Sequence, residues 1–101
     1  MAPSCSLDET GLHRQLRRYR HAGRGARLVE RDARRLLVEL DGRVDRQLVE
    51  ELIAIERACC PFYELHWTPA SRRLSVAVAE QRYEPALRAI AFALGFDQPG
   101  A

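Results

Sequence analysis

The sequence predicts an α+β fold of order α-β-β-α-β-β-α, a four-stranded antiparallel sheet with its helices on one face. Three observations carry this. Leu36, Val38 and Leu40 alternate at a period of two, as do Leu74, Val76 and Val78. Between them Val44, Leu48, Leu52, Ile55 and Cys59 advance by four, four, three and four. A period of two is a half-buried strand and a period of 3.6 is one face of a helix. Paired strands separated by amphipathic helices then favour an antiparallel sheet covered on one side.

The elements follow in order. Ser6-Leu7-Asp8-Glu9 has the form of a capping box, with Ser6 as N-cap. Leu12, Leu16 and Tyr19 give the first helix its apolar face, and Gly23 and Gly25 end it. A strand is expected over 28–31, a turn at Asp32-Ala33, and a second strand over 36–40 closed by Asp41-Gly42. The central helix runs over about 44–59 and stops at Pro61, because the residue before a proline is pushed out of the helical region. In the strand 62–68, Tyr63, Leu65 and Trp67 share one face, while Glu64, His66 and Thr68 share the other. After a turn at 68–71, Leu74, Val76 and Val78 lie on a fourth strand. Pro85 opens a last helix that Gly95 caps, with Phe96 folding back in a Schellman motif. A sheet covered on one face leaves the other as a candidate surface for homodimerisation.

At 101 residues the chain has room for one domain, 1–101, and its 47% hydrophobic content is enough for one core. No apolar run reaches the ~20 residues that span a bilayer. The first residues lack the basic and apolar regions of a secretory signal, so a cytoplasmic location is expected. Every basic residue is Arg, and the charge is uneven: residues 1–35 carry nine Arg against four acids, and residues 36–101 seven against ten. The Arg14-Gln15-Leu16-Arg17-Arg18-Tyr19-Arg20 run is the strongest nucleic-acid signal. No helix-turn-helix, finger or aromatic-rich sheet pattern accompanies it, so it reads as a solvated helix face and nucleic acid is not an expected partner.

The three cysteines, Cys5, Cys59 and Cys60, are few and odd in number for a disulfide framework, and reduced thiols are expected. Cys59 and Cys60 are adjacent where the central helix ends, so both can turn inward. Vicinal thiols suit thiophilic ions: Hg(II), Cu(I), As(III) or Zn. Cys5 is the candidate third ligand. Glu56, three and four residues before the pair, shares the same helix edge, and His66 is a weaker candidate. Cysteine is also a common core residue, and Cys59 continues the apolar stripe. A helix C-terminus opposes thiolate formation, which favours ion binding over a free nucleophile. The second reading is a small thiol or redox enzyme using Cys60 as nucleophile. The sequence contains no Cys-x-x-Cys, Gly-rich phosphate loop, His-Glu-x-x-His or Gly-x-Ser-x-Gly, so the chemistries these carry have no support.

Through Cys5-Ser6-Leu7 and Glu56-Arg57-Ala58-Cys59-Cys60-Pro61-Phe62 the chain resembles a group of short bacterial proteins of unknown function. Some of these accompany heavy-metal resistance genes. The resemblance implies that the cysteines form a site, in a setting of metal resistance or handling, and implies no reaction.

Overall fold

The structure is a computed structural model that describes residues 8–96. Its elements are α1 (Glu9–Arg24), β1 (Ala26–Arg31), β2 (Arg35–Leu40), α2 (Arg46–Cys59), β3 (Tyr63–Thr68), β4 (Arg73–Val78) and α3 (Glu84–Ala93), the last preceded by a 3-10 turn at Gln81–Tyr83. The predicted α-β-β-α-β-β-α order and fold class hold. The four strands are antiparallel in the order β1-β2-β4-β3, so β2 and β4 are central.

The central strands supply the floor of the core. Leu36 pairs with Val76 and Val38 with Leu74, and all four side chains are almost fully buried under the helices. From α2, Val49, Leu52 and Ile53 pack down on them, and from α3, Leu87, Ile90 and Ala91. The uncovered face of the sheet is polar, with Arg27, Glu39 and Arg73 in one row across β1, β2 and β4. Glu39 contacts Arg27 at 3.2 Å and Arg73 at 3.5 Å, and these arginines lower its pKa, the Arg27 hydrogen bond most.

Several boundaries differ from the sequence reading. Ser6 lies outside the described residues, and α1 starts at Glu9 with Asp8 as N-cap, its side chain accepting from the Gly11 N–H at 2.7 Å. The buried face of α1 is Gln15, Tyr19 and Ala22, while Leu12 is 49% exposed. The face is rotated because the Gln15 amide finds polar partners on α2. Gly23 does not end the helix. A Cβ there would stand 2.2 Å from the Leu94 carbonyl oxygen, so this glycine is what lets α1 and α3 touch. Asp41-Gly42 leads β2 into α2 rather than closing a hairpin, with the Asp41 N–H donating back to Gly25 at 2.8 Å. Val44 precedes α2, whose N-cap is Asp45.

The end of α3 is as predicted. Gly95 has φ +93, its N–H donates to Phe92 O, and the Phe96 N–H reaches Ala91 O, the two bonds of a Schellman motif.

Candidate metal centre

The site forms where α2 runs out. Pro61 prevents the helix from continuing, and Cys60 becomes the C-cap at φ −133, ψ 73, its N–H donating to Glu56 O at 2.8 Å. Leaving the helical conformation between Cys59 and Cys60 turns both side chains to the same interior. Cys59 is 8% and Cys60 5% exposed, and their sulfurs are 3.8 Å apart.

Glu56 lies one turn earlier on the same edge and is equally buried, at 5% exposed. Its two oxygens divide the work. Oε1 accepts a short hydrogen bond from the Tyr19 hydroxyl and a long one, 3.5 Å, from Gln15 Nε2. Oε2 faces the sulfurs, 4.0 Å from Cys59 Sγ. One ligand atom each from Glu56, Cys59 and Cys60 lies within 4.8 Å of the others, which makes a group able to hold a metal ion.

The anchor of Glu56 is built by α1. Gln15 Nε2 also donates to Leu52 O at 3.0 Å, and Arg18 holds the Gln15 amide oxygen at 3.1 Å while pairing with Glu51 at 2.7 Å. A chain of polar contacts therefore runs from the surface ion pair to the buried carboxyl. Tyr63 flanks the site and donates from its hydroxyl to Ala86 O at 2.9 Å. Beside it Phe62 stacks on Tyr83, with ring centroids 4.6 Å apart.

Burial governs the acids here. The Cys60 thiol is pushed up to about 12, first by desolvation and then by its hydrogen bond to Glu56 and the charge on that group. Tyr19 and Tyr63 are raised by the same order of causes, desolvation first and Glu56 next. Arg57 gives no relief, because its guanidinium turns to Leu65 O at 2.7 Å.

Cys60 is a free thiol, whereas Cys59 is disulfide-bonded, which corrects the expectation of reduced thiols throughout. Cys5 lies outside the described residues. His66 is exposed on β3 and does not belong to the metal-capable group. Glu56 shares the cysteines' helix edge, as its spacing indicates, and it is buried. Its spacing from the cysteines is visible in the sequence, but its burial depends on Gln15 and Tyr19, 41 and 37 residues earlier. No helix among the described residues is long and apolar enough to cross a membrane. Comparison with protein-family models, curated proteins and solved structures finds no match to the chain.

Proposed function

We propose that the reduced protein binds a thiophilic metal ion, Hg(II), Cu(I), As(III) or Zn, through the Cys59 and Cys60 thiolates. Glu56 supplies an oxygen donor and Cys5 a further thiolate. The observation that carries this reading is the convergence of two sulfurs and one carboxyl, all three residues buried, with ligand atoms within 4.8 Å of one another. The sulfur spacing supports it. Two thiolates on one tetrahedral ion at ~2.3 Å each are separated by about 3.8 Å, against roughly 4.6 Å on a linear one. The 3.8 Å between the sulfurs, with Cys59 oxidised, already equals the spacing that a tetrahedral ion requires. Tyr19 and Gln15 hold the carboxyl from behind, as ligating carboxylates are commonly held. An external thiol reductant must first open the Cys59 disulfide. Metal resistance or handling is the role that the resemblance of the cysteine segments suggests for this binding.

The thiol-enzyme reading draws on a free Cys60 thiol beside an oxidised Cys59. It needs a thiolate attacker, and a thiol that titrates near 12 holds almost none at neutral pH.

The test is a titration of fully reduced protein with Hg(II), Cu(I) and Zn(II), following the ultraviolet thiolate-to-metal band. Native mass spectrometry of the same samples counts ions and shows whether the chain is a homodimer. Cys60→Ser should abolish tight binding and Glu56→Gln should weaken it. Binding by Cys60→Ser with the parent's affinity and stoichiometry would end the metal reading.

A further inference from the structure

The outer side of α1 has no part in the metal centre. Arg14, Arg17, Arg20 and Arg24 advance by three, three and four, which places them on one face, opposite Gln15, Tyr19 and Ala22. All four are exposed and make no ion pair or side-chain hydrogen bond among the described residues. Arginines elsewhere are mostly paired, as Arg34 is with Glu84 at 2.9 Å and Arg27 with Glu39 at 3.2 Å. Ten residues of helix make this row of unpaired cations about 15 Å long.

The row ends at a groove that the sequence could not reveal. Because Gly23 lets α3 approach, the end of α3 stands beside the last turn of α1. Between them is a hollow of about 510 Å³ lined by Arg20, Gly23, Arg24, Phe92 and Phe96 among others, with no acidic side chain among its described walls. Phe92 is 45% exposed, one of three large apolar side chains so exposed among the described residues. Free guanidinium groups beside an open aromatic ring offer two contacts at once, one for phosphate and one for a flat ring.

We propose that this face binds single-stranded nucleic acid, with phosphates along the arginine row and an unstacked base on Phe92 in the groove. The length of the row exceeds what one nucleotide needs and matches a run of a few phosphates. A base must leave its stack to reach Phe92, which a duplex does not allow. Affinity on such a surface combines counterion release with base–aromatic stacking.

The experiment is fluorescence anisotropy of the full chain with a labelled oligothymidylate of about 15 nucleotides, over a salt series. Four phosphate contacts give a slope of log affinity against log salt of about −3 for a single strand. Arg20→Ala and Arg24→Ala should each flatten that slope by about 0.7 and weaken binding. Phe92→Ala should weaken binding about tenfold and leave the slope unchanged. Arg88→Ala, on an exposed arginine outside the groove, should leave binding unchanged and so controls for net charge. Thermal melts of each variant establish that it is folded. Absence of binding at low salt overturns the proposal. So does equal affinity for heparin or for a duplex of the same length, and so does a Phe92→Ala protein that binds like the parent.

Discussion

Replacing Tyr19 by Phe removes one oxygen and separates support of the metal centre from plain stability. Tyr19 is 4% exposed and its hydroxyl donates to Glu56 Oε1, whose other donor, Gln15 Nε2, is at the long limit of 3.5 Å. Without the hydroxyl, Oε1 of this buried carboxyl keeps one poor donor. A hydrogen bond to such a group contributes about 1.5–3 kcal/mol, and its loss leaves the acceptor desolvated. For a domain of this size about 1 kcal/mol moves the melting temperature by roughly 4–8 °C, so Tyr19→Phe should melt roughly 6–24 °C lower.

The effect on the ion is distinct. Freed from Tyr19, Glu56 samples orientations in which Oε2 no longer faces the sulfurs, and loss of a partner that orients a ligand typically costs about 10–100-fold in metal affinity. Tyr63→Phe is the matched control. It deletes a hydroxyl of the same kind, but one that donates to Ala86 O and not to Glu56. It should lower the melting temperature and leave ion affinity within about twofold. Both proteins are melted by circular dichroism and, after reduction, titrated with Zn(II) against a competing chromophoric chelator. If Tyr19→Phe loses stability yet binds like the parent, Tyr19 only fills and satisfies the core, and the argument for a positioned carboxylate fails.

Gly23→Ala should destabilise, although alanine is the better helix former by about 1 kcal/mol. The new Cβ meets Leu94 backbone atoms at 2.2–3.0 Å, and such overpacking costs about 1–3 kcal/mol, whereas Gly42→Ala meets nothing within 4 Å and should melt near the parent. Alkylation of Cys60 by iodoacetamide should be slow at pH 8 and keep accelerating well above pH 9, because burial raises the thiol to about 12. The sign for stability follows: an acid raised on folding stabilises fully below its ordinary pKa of 9.0, and that contribution is lost between pH 9 and 12. The stability difference between parent and Cys60→Ser should therefore shift against the parent across that window in denaturant melts. A difference that stays constant from pH 8 to 12 would contradict the shift.

The fold was largely legible because its decisive signals are local. The alternation of Leu36, Val38 and Leu40 and the four-four-three-four steps of α2 need no tertiary information. Pro61 and Gly95 end their helices by backbone geometry alone. What escaped was set by partners distant in sequence. The order β1-β2-β4-β3 depends on β2 choosing β4, and no spacing in the sequence encodes that choice. Gln15 belongs to the buried face only because Leu52 O and Glu56 receive its amide. Leu12, apolar but unpartnered, stays 49% exposed. The same division applies to the site: adjacency at a helix end predicted that Cys59 and Cys60 turn inward together, while the burial of Glu56 and the oxidation of Cys59 were not foreseeable.

The chemistry of this corner follows from a conflict of charge. The Glu56 carboxyl, the two cysteine sulfurs and the negative end of α2 share one desolvated place, where burial and the carboxyl raise the Cys60 thiol. Among the described residues the nearby arginines turn elsewhere, Arg57 donating to Leu65 O on β3 and Arg18 staying with Glu51 and Gln15. Three agents relieve the conflict. A proton does so at Cys60, and this is why that thiol resists titration. A disulfide does so at Cys59 by removing the titratable group. A metal cation bound as proposed would do so for all three at once, replacing the protons of the reduced thiols and meeting Glu56 Oε2 while Tyr19 and Gln15 hold Oε1. The first two states are those present in this structure. Reduction of Cys59 would return a second thiol beside Cys60 and Glu56, and a thiophilic cation would then have both sulfurs as ligands. On the proposed function oxidation and metal binding would compete for one site, and ion uptake should require the reductant even when the metal is in excess.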